Sequence, residues 1–331
     1  MGDHSLRGLH FYETFTIVNL LAIGLVAHNT LTISPVVMII AFTAGLLPYA
    51  LLGVFIRVGI AAIRREHAYM HIVRTGMWIV ETLRLVFFTG LMIFTYGWIK
   101  LAMPLVHPRL FDQELWDLDR TLFFGLSPNV LFLDLFSARP VLLAIDWSYA
   151  NIFYASSLLA LGYFFSHPSN RVRIAFANGN TALWLIGAWL YMLVPSLGPA
   201  YRFPDLWLAH EAVLKRTQGL QAVLMRNYQN VLRVIEGQPP RDAIRIIFGI
   251  AAFPSLHVAF QTYVFLWMRR LWTSGEVLFG IFVLVIFLGS IVTGWHYVID
   301  GIAGIALAWA CYAATSRASR MSRWFVLSSR A

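Results

Sequence analysis

Charge is scarce in this chain. Charged residues make up 12% of its 331 positions, where a typical soluble domain carries about 25%. So little charge cannot cover a water-facing surface of this size, which excludes a soluble enzyme, a disordered chain and a fibrous protein. Cysteine is almost missing. Cys311 stands alone in an apolar stretch, so there is no intrachain disulfide, no zinc site and no redox Cys-x-x-Cys pair. Nucleic-acid-binding motifs, internal repeats and low-complexity linkers are also absent. Met1 to Tyr12 is short and polar and lacks the pattern of a cleaved signal peptide, so the first apolar run is expected to stay in the protein.

What is present is apolar. Hydrophobic residues reach 59%, with 12 Trp, 13 Tyr and 25 Phe, and the mean hydropathy is +0.69. The apolar runs are too long for the strands of about ten residues that build an outer-membrane barrel. The expected fold is all-α, a polytopic bundle of membrane helices. Eight runs approach the roughly 20 residues needed to span: 13–30, 34–61, 77–103, 140–165, 174–195, 247–268, 276–294 and 296–315. The last two nearly touch, and Gly294 is the expected break.

The formal net charge is +9, and its distribution reads as topology. Placing the N-terminus, loops 2–3, 4–5 and 6–7 and the C-tail on one face collects twelve cations there: Arg7, Arg64, Arg65, Arg74, Arg171, Arg173, Arg269, Arg270, Arg317, Arg320, Arg323 and Arg330. Loops 1–2 and 7–8 on the other face hold none. Both termini are therefore expected in the cytoplasm, and loops 3–4 and 5–6 outside. Outside means periplasm or lumen.

Both long outward segments are expected to hold interfacial helices. Residues 107–139 mix Asp112, Glu114, Asp117 and Asp119 with Leu110, Phe111, Leu115, Trp116 and Leu118, a pattern for a helix at the membrane surface. In 206–236, Leu220, Val223, Leu224, Tyr228, Val231 and Ile235 recur at helical spacing among Lys215, Arg216, Arg226 and Arg233, and Gly237, Pro239 and Pro240 end the run. Such a basic amphipathic helix lies in the head-group layer or caps the bundle.

Ionisable groups inside spans are costly, and each needs a reason. Glu81 and Arg84 are three apart and can pair. Asp146 is expected to bond to a neighbouring Trp, Tyr or Asn. Arg57 can snorkel to the cytoplasmic surface, and His67, His71 and His167 are read as solvated loop residues. Two histidines differ. In Phe253-Pro254-Ser255-Leu256-His257-Val258-Ala259, Pro254 and Ser255 suit a helix start, and the free N–H groups there attract an anion within reach of His257. In Thr293-Gly294-Trp295-His296-Tyr297-Val298-Ile299-Asp300, His296 and Asp300 are four apart and share a helix face. A carboxylate on one imidazole nitrogen leaves the other free as a nucleophile. Both motifs open from outward loops, so they can converge at one membrane surface.

Pro254-Ser255-Leu256-His257 resembles the second signature, Pro-Ser-Gly-His, of the type 2 phosphatidic acid phosphatase (PAP2) superfamily. His296 with Asp300 resembles the third, Ser-Arg-x5-His-x3-Asp. The likeness covers roughly residues 77–315 as a six-helix catalytic core, with residues 1–76 adding two N-terminal spans and a cytoplasmic loop, and 316–331 a basic cytoplasmic tail. Leu256 replaces the usual Gly, Ser290 stands where the third signature has Arg, and the first signature, Lys-x6-Arg-Pro, is replaced by Pro195-Ser196-Leu197-Gly198-Pro199-Ala200-Tyr201-Arg202-Phe203-Pro204. This variant is similar to the inositol phosphorylceramide synthase branch, which also has Pro-Ser-Leu-His and lacks that Arg.

The resemblance implies a mechanism. His296 would attack phosphorus and form a phosphohistidine, Asp300 would orient it, and His257 would protonate the leaving alcohol. Neither metal nor cofactor would be needed, and the chain shows no carboxylate cluster suited to Mg²⁺. A site lacking the family Lys and one Arg suits a phosphodiester better than a phosphomonoester. Ser255 with Arg202, Arg241 and Arg245 are the candidate phosphate-binding residues. The expected partners are membrane lipids: a phospholipid donor and a lipid or alcohol acceptor. A hydrolase on the same residues and a non-enzymatic transporter are the competing readings; the absence of an inverted repeat weighs against the transporter.

Overall fold

The computed structural model describes residues 8–320. Among these residues every regular element is helical. The first long helices are α1 (Phe11–Ala27), α2 (Pro35–Ile63) and, after short α3 (His67–Ile72), α4 (Gly76–Leu101). An outer segment follows, with α5 (Met103–Val106), α6 (Asp112–Leu122) and α7 (Pro128–Leu135). The chain then forms α8 (Arg139–Phe165) and α9 (Asn170–Leu193). A second outer segment carries α10 (Pro199–Arg202), α11 (Asp205–Leu208) and α12 (Lys215–Ile235). Last come α13 (Leu256–Leu271), α14 (Glu276–Val292) and α15 (Val298–Arg320).

Four of these are long and apolar enough to cross a membrane: α2, α4, α14 with the turn before it, and α15 as far as Arg317. They fit a multi-pass membrane protein. Helix α1 is apolar but shorter. Helix α13 packs against α9, α14 and α15; α2 packs on α4 and α8, and α1 on α4 and α9. Aromatic rings fill the centre. Phe164 and Phe176 stack with centroids 3.6 Å apart, and Trp267 closes edge-on over both. Most of α2 faces outward with apolar side chains, as expected of a helix solvated by lipid.

The sixth expected span starts late. Helix α13 begins at Leu256, not 247, because Pro254 disfavours helix in the residue before it and lacks an N–H of its own. Residues 107–139 form two principal helices rather than one. On α6, Glu114 and Asp117 are exposed, but Asp112 and Asp119 are buried; seven apart, they share a face. Gly294 does break the chain between α14 and α15, with φ +74°, a conformation that favours glycine.

The other charged groups are engaged too. Arg84 bonds to Glu81 (2.9 Å) and bridges to Glu13 (2.5 Å), tying α4 to α1. Among the described residues Asp146 bonds to no aromatic or Asn side chain; its carboxylate accepts the backbone N–H groups of Arg216 (3.1 Å) and Thr217 (2.9 Å), capping α12. Arg57 reaches Ser166 Oγ (3.2 Å) and lies over the Tyr163 ring. His67 and His71 are exposed. His167 is instead half-buried and accepts the Ser169 N–H (3.1 Å). Among the twelve cations, Arg173 is not a solvated loop group: it is 1% exposed, bonds to Thr82 and Asn170, and lies over Trp78. Arg7, Arg323 and Arg330 lie outside the described residues.

Candidate active site

The site is built where α13 and α15 begin. Ser255 precedes α13 with extended backbone, and its N–H donates to the Asp300 carbonyl (2.9 Å). Its hydroxyl is fully buried and has no hydrogen-bond partner. No side chain caps α13, so its first N–H groups remain as donors, a ready place for an anion. Leu256 in place of the family glycine is accommodated across the helix interface: a Cβ at Gly187 of α9 would lie 2.2 Å from Leu256 Cδ2.

His257 sits in that first turn. Its Nδ1 lies 3.3 Å from Tyr149 Oη on α8, and the Phe153 ring packs on it with centroids 4.4 Å apart. When the Tyr149 hydroxyl donates to Nδ1, the proton of neutral His257 rests on Nε2; a general acid at this position is the imidazolium, with both ring nitrogens protonated. His296, 5% exposed, lies in the turn before α15. Its Nδ1 is 3.3 Å from Asp300 Oδ2, the i,i+4 pair expected from the spacing. That leaves Nε2 for chemistry. A nucleophile needs that nitrogen unprotonated, which is the neutral form of the ring. The two imidazoles face one another, centroids 6.3 Å apart at 73°.

The cations are distributed differently from expectation. Arg202, Arg241 and Arg245 are exposed. Arg202 lies over Phe203 and reaches Gln113 Oε1 (3.5 Å), and Arg245 lies over Phe248. Ser290 turns its hydroxyl back to the Phe287 carbonyl (2.8 Å). A cation whose charge reaches the histidines is Lys100, in the last turn of α4, with Nζ 5.7 Å from the Tyr191 ring centroid and 6.0 Å from that of Tyr96. It is close enough to act on both imidazoles. A lone lysine ending an apolar span was its only trace in the sequence, and Tyr149 left none.

The turn bearing His296 is held by side chains from distant segments. Asn129 of α7 donates to the carbonyls of Ile291 (3.0 Å) and His296 (3.1 Å), Gln221 of α12 to Thr293 (3.0 Å), and Trp207 of α11 to Val292 (2.9 Å). Asp119 of α6 accepts the N–H groups of Val298 and Ile299. Burial raises the Asp119 carboxyl to about 6, the Asp300 charge adds to this, and those two N–H groups oppose it. Among the described residues, no three His, Cys, Asp or Glu side chains gather into a metal site.

An imidazole pair at a helix N-terminus, one ring buried and held by a carboxylate and the other half-buried, is an arrangement suited to phosphoryl transfer within an all-helical membrane protein. The model of the PAP2 superfamily matches residues 113–314, and the chain belongs to that superfamily. Its members are generally phosphatase-type enzymes, so membership points to phosphatase or phosphotransferase activity on lipid phosphates. No curated protein and no solved structure matches the chain.

Proposed function

We propose that this protein transfers a phospho-alcohol head group from a phospholipid to a lipid acceptor, through a phosphohistidine on His296. The observation that carries the reading is the pair of facing imidazoles, 6.3 Å apart, at the uncapped start of α13. A phosphorus atom between the rings would meet the free Nε2 of His296 on one side and the N–H of His257 on the other. His296 attacks, the N–P bond forms and the P–O bond to diacylglycerol breaks. His257, protonated to the imidazolium before this step, gives that proton to the leaving oxygen and becomes neutral. It then takes the proton of the acceptor hydroxyl, which attacks phosphorus and frees His296. Asp300 stabilises the charge that the His296 ring gains. Ser255 and the α13 N–H groups hold the phosphate oxygens.

The modest positive charge supports a phosphodiester donor. With Arg202, Arg241 and Arg245 exposed, Lys100 supplies one charge beside the histidines, matching the single charge of a diester. The Pro-Ser-Leu-His variant and the serine at 290 support a place in the inositol phosphorylceramide synthase-like branch. The twelve-cation asymmetry supports eight spans, both termini in the cytoplasm, and a site at the opposite surface. On this reading, residues 77–315 form the catalytic core.

Product analysis tests the function. Purified protein in EDTA would receive ³²P-phosphatidylinositol or ³²P-phosphatidic acid, with and without a long-chain alcohol. Acceptor-dependent transfer from the diester supports the proposal. Release of inorganic phosphate from the monoester alone makes the protein a hydrolase, and activity only with added metal overturns the mechanism.

A further inference from the structure

Helix α15 starts at Val298, two residues after His296, so whatever fixes its first turn fixes the nucleophile. The first N–H groups of a helix need acceptors from outside its own ladder. In a capping box, the residue before the helix offers one acceptor and a carboxylate three positions on offers the other. Here the chain's own turn supplies only the second half. Asp300 Oδ2 accepts the Tyr297 N–H (2.9 Å) while also facing His296 Nδ1 (3.3 Å). Tyr297 cannot cap the helix, because its hydroxyl lies at the far end of a rigid ring, where it donates to Asp112 Oδ1 (3.0 Å) on α6.

Acceptors for the next two N–H groups come from α6. Asp119 Oδ2 takes the Val298 N–H (2.6 Å) and its Oδ1 takes that of Ile299 (2.9 Å). On the same face, Asp112 also takes the N–H groups of Leu197 (3.0 Å) and Gly198 (2.8 Å). One face of α6 therefore joins the segment after α9 to the first turn of α15.

Resting on the function proposed above, we infer that Asp112 and Asp119 are positioning residues, and that α6 completes the α15 cap so that Asp300 stays committed to His296. Asp300 has one oxygen to spare: Oδ1 is buried with no hydrogen-bond partner. Without Asp119, the N–H groups of Val298 and Ile299 lose their acceptors. The nearest carboxylate in their own turn is Asp300. If it rotates to meet them, Oδ2 leaves the imidazole. Asp119 thus acts on the reaction through Asp300 and touches no substrate.

The test is a double-mutant cycle on full-length protein in detergent, using the same two ³²P lipids. Asp119→Asn should lower kcat and the rate of phosphohistidine formation about 10- to 100-fold, the usual cost of losing an outer partner of a site, with KM unchanged. The Asp119→Asn, Asp300→Asn double variant should be no slower than Asp300→Asn alone, because one residue works through the other. Asp117→Asn, on the exposed face of α6, should match the wild type. Wild-type rates in Asp119→Asn, or losses that multiply in the double variant, overturn the inference. If Asp119→Asn does not yield a monodisperse protein, Tyr297→Phe decides: it removes one hydroxyl from the Asp112 network and should lower kcat several-fold at constant KM, and an unchanged kcat overturns the inference. Absence of label on wild-type His296 would instead defeat the proposed function itself.

Discussion

His257 and His296 present their rings to each other across 6.3 Å, one from the first turn of α13 and the other from the turn that precedes α15. They are 39 positions apart in the chain. On the proposed function, a phosphate held by the α13 N–H groups would have a nucleophile on one side and a proton donor on the other.

His296→Ala should abolish turnover and covalent labelling, with the protein still monodisperse in detergent. Acid-labile ³²P on the wild-type protein, absent from this variant, is the expected result. A variant that keeps its activity removes His296 as nucleophile, and a wild-type protein that never labels favours a transporter.

Asp300→Asn keeps the shape of the side chain but loses the charge that steadies the imidazolium. The expected loss in kcat is roughly 10²- to 10⁴-fold, as for an orienting carboxylate in a catalytic triad. Steady-state kinetics on the labelled donor measure it, and a near-normal rate contradicts the orienting role.

Lys100→Met retains the aliphatic stem between Tyr96 and Tyr191 and removes the ammonium. We expect kcat/KM to fall about 10- to 100-fold if this half-buried ammonium holds the phosphate, since a charge-assisted contact would be lost. Arg202→Gln, at an exposed position, should cost far less. The reverse order would return the phosphate-binding role to the arginine.

His167 supplies a pH dependence of stability. Burial, and next the Arg57 charge, depress its imidazole from 6.5 to about 4. The neutral ring belongs to the folded state, so its contribution is present above pH 6.5 and is lost as the pH falls toward 4. Fully realised, that contribution is ~3 kcal/mol. Thermal melts of the detergent-solubilised protein from pH 7 to pH 4 should show the loss, and His167→Gln should flatten it. Parallel curves for the two proteins contradict the assignment.

Topology can be read with one thiol at a time. In a Cys311→Ala background, Ser137→Cys in loop 3–4 should react with a membrane-impermeant maleimide on intact cells. Glu66→Cys in loop 2–3 should react only after lysis. The opposite pattern inverts the protein and moves the site to the cytoplasmic surface.

How much was legible follows from how far each signal extends along the chain. The apolar runs, the basic loops, the break at Gly294 and the His296–Asp300 pair are local. They follow from helix periodicity, from the cost of charge in lipid and from the φ that glycine tolerates, and a few neighbouring residues suffice to state them. Pro254 was visible too, yet the span was drawn through it because the residues from Phe248 to Ala252 are as apolar as a helix interior. Other features are relations between distant segments. The acidic pattern of 107–139 suits a surface helix equally well whether Asp112 and Asp119 face water or the N–H groups of Gly198 and Val298. Asp146 reads as an intramembrane carboxylate until α12 is brought down on it. Lys100 reads as a span terminus until α4 is set beside His296. The sequence by itself determined an all-helical membrane protein with two histidine motifs, because hydropathy and short-range spacing are properties of the chain. Only the tertiary structure decided which cation, tyrosine and carboxylates surround those histidines, because hydrogen bonds and charge act over a few ångströms and such neighbours are set by packing.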